Sequence, residues 1–184
     1  MKNGILLLSV VLCTLANAQT APPIIRNPLT TYKGLKIDSR KGTLIEKQTV
    51  DFAKFKNLNI QKIITKDLSD NSAESVLGIM YEYETFDHIS KKTLTIEKTE
   101  LSKLIHALQI LEQKEKEAQS NKDTKYKFVT MSNIEFGGVY SEKLKSSVNY
   151  IKMPSAPYGQ NLNEFNTDEL KELIKILKKA EQDL

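Results

Sequence analysis

The side chains that most often carry chemistry are nearly absent. Histidine occurs twice, as His88 and His106, and cysteine once, as Cys13. A metal centre wants several His or acidic ligands on a fixed geometry. Asp87-His88 is the nearest approach to one, and a pair beside a polar stretch reads first as turn chemistry. His106 falls off the apolar stripe of its segment and is expected to face solvent. A nucleophilic serine would need a Gly-x-Ser-x-Gly elbow, and none occurs. Glu82 and Glu84 alternate onto one strand face, the arrangement that paired-carboxylate hydrolysis would need. They point away from Tyr81 and Tyr83, so the solvated side of a half-exposed sheet is the expected place for them. Gly137-Gly138 lies inside a strand pattern and marks a bulge or a close backbone approach rather than a phosphate loop. No catalytic residue, metal ligand or cofactor is expected. Tyr158, flanked by Pro157 and Gly159 in a long insertion, is the candidate ligand-binding residue, because long loops on rigid scaffolds often carry binding.

The elements that would hold such residues fall into two runs. Segments expected as strands are Thr43–Val50, Ile60–Leu68, Val76–Glu84 and Thr93–Lys98, then Tyr126–Met131, Ile134–Tyr140 and Val148–Met153. Val76–Glu84 is the clearest, with Leu77, Ile79, Tyr81 and Tyr83 on one face and Gly78, Glu82 and Glu84 on the other. Asp70-Asn71-Ser72 and Asp87–Lys92 read as polar turns. Each run ends in an amphipathic helix. Leu101, Leu104, Ile105, Leu108 and Leu111 make one stripe, and Leu170, Leu173, Ile174, Leu177 and Ala180 make the other. Thr99 and Thr167 are placed to cap them. Between Met153 and Asn166 the second run carries a Pro- and Gly-containing insertion, expected to be a loop. Strands joined by short turns pair antiparallel. The expected fold is α+β: an antiparallel sheet of about seven strands in two strand-run-plus-helix units, over 43–122 and 123–184.

A strand run with a C-terminal helix, occurring twice, resembles the PUR repeat of purine-rich-element-binding proteins. The shared helix motif, Glu100-Leu101-x-x-Leu104-Ile105 and Glu169-Leu170-x-x-Leu173-Ile174, is similar to the last helix of whirly-like single-strand binders. The resemblance implies a single-stranded nucleic-acid binder stacking bases on sheet aromatics, here Tyr81, Tyr83, Tyr126, Phe128, Phe136, Tyr140 and Tyr150. Read from the residues themselves, those aromatics are core and cross-strand pairs.

The N-terminus predicts an export route. Lys2, the apolar run Ile5–Leu15 and the small-x-small Ala16-Asn17-Ala18 form a signal peptide over 1–18, with cleavage between Ala18 and Gln19. The run is far short of the roughly 20 residues that span a bilayer. Leu12 before Cys13 disfavours lipidation, so the mature chain is expected to have no cysteine, no disulfide and no transmembrane segment. Residues 19–42, with Pro22, Pro23 and Pro28, form an extended tether. The chain carries +4 overall, and +3 once Lys2 is removed. So mild and interspersed a charge points to solubility rather than to a polyanionic partner. These readings describe a secreted or periplasmic, non-enzymatic binding or interaction module with a protein or surface ligand as partner and no nucleic acid. An extracellular enzyme or enzyme inhibitor, with a site made of ordinary polar residues, is the alternative.

Overall fold

The structure is a computed structural model, and it describes residues 37–84, 89–117, 122–154 and 162–184. The segments expected as signal peptide and most of the expected tether, with Asp87, His88 and Tyr158, lie outside the described residues. Among the described residues, no helix is long and apolar enough to cross a membrane.

Four antiparallel strands in sequence order make the first sheet: β1 (Ile45–Phe55), β2 (Leu58–Asp67), β3 (Ala73–Glu84) and β4 (Ile89–Ile96). Helix α1 (Lys98–Glu117) follows. A second four-stranded antiparallel sheet is built from β5 (Thr124–Val129), β6 (Glu135–Ser141), β7 (Ser146–Lys152) and β8 (Leu162–Phe165), again in sequence order. It is followed by helix α2 (Thr167–Asp183). The molecule is therefore α+β, as expected, but with eight described strands in two sheets rather than seven in one.

The added strand is β8, inside the segment expected to be a loop. Its pattern is weak, with only Leu162 and Phe165 apolar. It forms because pairing covers the open edge of β7, with Asn149 opposite Phe165 and Lys152 opposite Leu162. Phe165 then turns inward and meets Phe55 edge-on, ring centres 5.3 Å apart at 85°. Three further expectations are corrected. Residues 89–92 belong to β4 rather than to a turn, because β3 pairs with them, Tyr81 opposite Lys92 and Glu84 opposite Ile89. Thr167 is not the cap of α2. Asn166 is: its Oδ1 accepts from Asp168 N and Glu169 N, both at 3.0 Å, and its own N–H donates to Glu169 Oε2 at 2.9 Å. In α1, Thr99 likewise sits within the first turn, since Leu101 N donates to Glu97 O.

Both predicted helix stripes are buried in full, and His106 is exposed. The stripes join Leu58, Ile60, Leu77, Ile79, Tyr81 and Ile96 of the first sheet and Phe136, Ile151 and Phe165 of the second in one contiguous core. The two helices lie against each other, with Ser102 of α1 donating to Glu181 of α2.

Each helix reaches beyond the sheet it follows. From α1, Leu111 packs over Gly138, Glu115 accepts from Asn149 and Glu100 accepts from Met131 N, all in or next to the second sheet. From α2, Glu169 pairs with Lys56, Lys179 lies over the Phe52 ring, and the carbonyls of Asp183 and Leu184 accept from Lys62 and Ser75. Those four partners belong to the first sheet and its β1–β2 turn. Helix α1 still touches β3, and α2 still touches β7. Side-chain bonds tie the sheets as well: Tyr81 donates to Pro154 O at 3.1 Å, and Ser132 donates to Thr95 O at 2.6 Å.

The last residues of the expected tether are held. Ile37–Ser39 is a single 3₁₀ turn with Ile37 buried and its N–H bonded to Glu74. Arg40 bridges Asp67 and Asp70 across the β2–β3 turn, each at 2.8 Å. Ser69, through its hydroxyl, and Arg40 hold the buried Asp67 carboxyl at about 2, below its ordinary 3.8. The predicted turn itself is present: Asp70 Oδ1 accepts from Ser72 N and Oγ, and Asn71 takes φ of 56°.

Candidate ligand-binding groove

Register decides what the open face of the second sheet displays. Tyr126, Gly138 and Asn149 are aligned across β5, β6 and β7, and so are Lys127, Gly137 and Tyr150. Because successive side chains alternate, the first row meets the helices and the second faces away. The open face therefore carries Lys125, Lys127, Glu135, Val139, Val148, Tyr150, Lys152, Leu162 and Glu164.

Gly137 shapes this face. A Cβ there would stand 2.3 Å from Tyr126 O and 2.7 Å from the end of the Tyr150 ring. The glycine lets Tyr150 lie flat across the neighbouring strand, so the predicted close approach is the correct half of that expectation. The register runs unbroken through Gly137 and Gly138, so there is no bulge. Lying flat buries Tyr150 to 7% exposure although it sits on the face away from the helices.

Tyr150 donates its hydroxyl to Glu135 Oε1 at 2.5 Å, and Lys125 Nζ stands 3.2 Å from the same oxygen and 5.3 Å from the ring centre. Around this trio, Val139, Leu144, Val148 and Leu162 line a groove of about 610 Å³ with Lys152 and Glu164 at its rim. All four aliphatic residues are exposed, Leu144 to 72%.

The trio is electrostatically settled. The Tyr150 hydrogen bond, helped by Lys125, holds the Glu135 carboxyl below its usual range. Burial, then the Glu135 bond, pushes the Tyr150 hydroxyl up. Bonds to Tyr150 and Glu135 push the Lys125 ammonium up. Each shift locks its group in the protonation state it already has at neutral pH. A general acid, a phenolate nucleophile or a free amine needs the opposite shift.

Other described residues singled out by sequence are not brought here. Glu82 is exposed and pairs with Lys91 on β4 at 2.9 Å. The Glu84 side chain and Tyr158 lie outside the described residues. Among the described residues, no three His, Cys, Asp or Glu side chains are grouped to hold a metal ion. Tyr81, Phe136 and Tyr140 are buried, and Tyr83 and Phe128 pack against the core. Tyr126, at 38% exposure, sits at an edge of the helix-facing side. Glu135, Lys125 and the four aliphatic residues were missed as site residues. The signal was there only as odd positions in β6 and β7, which carry neither a clean apolar nor a clean polar face.

Compared with known proteins, the chain matches no family model, no curated protein and no solved structure.

Proposed function

We propose that this chain is an exported, non-enzymatic binding module that takes its ligand on the open face of the second sheet. One observation carries this reading: an apolar groove whose only cluster of ionisable groups is internally paired. Exposed aliphatic residues with a few fixed polar groups suit recognition, and contiguous exposed apolar surface of this kind marks interaction sites. The settled protonation of Glu135, Tyr150 and Lys125 weighs against the enzyme reading.

The groove also weighs against single-strand nucleic-acid binding. Lys125, Lys127 and Lys152 do share the face, but Glu135 and Glu164 interleave with them, and the one aromatic there is buried under its own sheet contacts. Stacking needs open rings beside uninterrupted positive charge. The matching element order and helix stripes of the two halves support a finer reading, that they are duplicated ββββα units. Export, with cleavage after Ala18, rests on the sequence alone.

The test is capture from native secretions by the mature wild-type protein and by a Val148→Glu variant, which places a charge on the groove floor without touching the core. A partner retained by wild type and lost by V148E is the expected result. Equal capture by both proteins sinks the groove as the site. Catalytic turnover of any substrate sinks the non-enzymatic reading.

A further inference from the structure

A second site lies on the opposite side of the same sheet and is independent of the groove reading. Where the last turns of α1 overhang β5, β6 and β7, a pocket of about 300 Å³ opens between Leu111, Glu115, Tyr126 and Tyr140, and Lys114, on the same wall, is already paired with Glu117 at 2.7 Å. Gly138 forms part of its floor. Asn149, fully buried, underlies it: its Oδ1 would stand 2.9 Å from a Cβ at Gly138. Its Nδ2 donates to Glu115 Oε1 at 2.7 Å.

That bond leaves two oxygens over. Glu115 Oε2 and Asn149 Oδ1 are both buried, and neither has a hydrogen-bond partner. Buried polar atoms are nearly always satisfied, and an unsatisfied pair of acceptors is costly. Both orphans accept and neither donates, so the missing group is a donor. One of them belongs to a carboxylate, so a cationic donor is favoured. Glu115 also lines the pocket, and the torsion that swings its carboxyl is broad. A modest rotation turns Oε2 toward the pocket space.

We propose that this pocket binds a primary ammonium group on an alkyl stem. Two oxygens are too few for a calcium-like cation, which takes six to eight. An ammonium has three donors and no acceptor. The Tyr126 and Tyr140 rings that line the pocket suit a cation, and Leu111 suits an alkyl chain. The same chemistry is offered by a free alkylamine and by a lysine side chain of a partner protein.

Titration of the full mature protein with n-butylamine at neutral pH, followed by the NMR signals of the Asn149 side-chain amide, tests the site. Saturable shifts are expected with n-butylamine and none with n-butanol. A Gly-Lys-Gly peptide that binds more tightly than butylamine points to a partner's lysine, whereas a peptide that is excluded points to a free amine. Glu115→Gln puts an N–H₂ where it can satisfy Asn149 from within, so E115Q is expected to fold as cooperatively as wild type. Its affinity for butylamine should fall about tenfold, the loss of one charge-assisted bond. No saturable butylamine shift, or binding unchanged in E115Q, overturns the proposal and leaves a water as the missing donor.

Discussion

Two adjacent glycines do different work. Gly137 faces away from the helices and touches a backbone carbonyl as well as the Tyr150 ring, so an added methyl has no soft neighbour on the carbonyl side. Gly138 faces the helices, and its nearest neighbours are side-chain ends, Asn149 Oδ1 and Leu111 Cδ1, each at 2.9 Å. Side chains can rotate aside, and a backbone carbonyl held in the β5–β6 pairing can move only with its strand. Gly137→Ala is therefore expected to lose about 1–3 kcal/mol, the usual penalty for overpacking, and Gly138→Ala less. Urea denaturation of the two variants measures the difference, and equal losses would show that β5 yields after all. The pair of glycines is legible in the sequence as a site of close approach. What approaches is not, because Tyr150 and Tyr126 reach Gly137 only through the strand register, and register is a long-range property.

At the scale of elements, the helices were readable and their boundaries less so. A stripe at helical spacing survives any tertiary arrangement that has a core to meet it. Caps are local choices between neighbours, and here two neighbours compete. Asn166 and Thr167 are both good capping residues; Asn166 wins because Glu169 then stands at the third helical position and closes the reciprocal bond. Asn166→Ala is expected to cost about 1 kcal/mol and Thr167→Ala only a few tenths. Thermal melts of the two variants check the assignment, and the reverse order would return the cap to Thr167. Strand β8 marks the limit of local reading. Four residues with two apolar side chains do not specify a strand; the open edge of β7 and the ring of Phe55 do, and both lie outside the segment itself.

For the whole molecule, the core is one cluster rather than two. Each sheet takes part of its cover from a helix that belongs, in sequence, to the other half, and that arrangement was invisible to periodicity, which reports that a face is buried but not against what. A fragment ending near residue 122 keeps the first sheet and loses α2. A fragment beginning there keeps the second sheet and loses α1. Neither is expected to fold alone, and an equimolar mixture is expected to regain native-like circular dichroism and a cooperative melt. A cooperative transition in either fragment by itself would mean that the halves are independent domains.

Helix α2 also sets a clock. A chain is made, and threaded through any export channel, from its N-terminus onward, so the strands of the first sheet arrive long before the segment that Lys56, Lys62 and Ser75 bind. Until the seventeen residues of α2 emerge, the β1–β2 side of that sheet lacks part of its cover. The protein thus finishes its oldest part last, and an early stop codon that spares every strand would still leave the first of them without a roof.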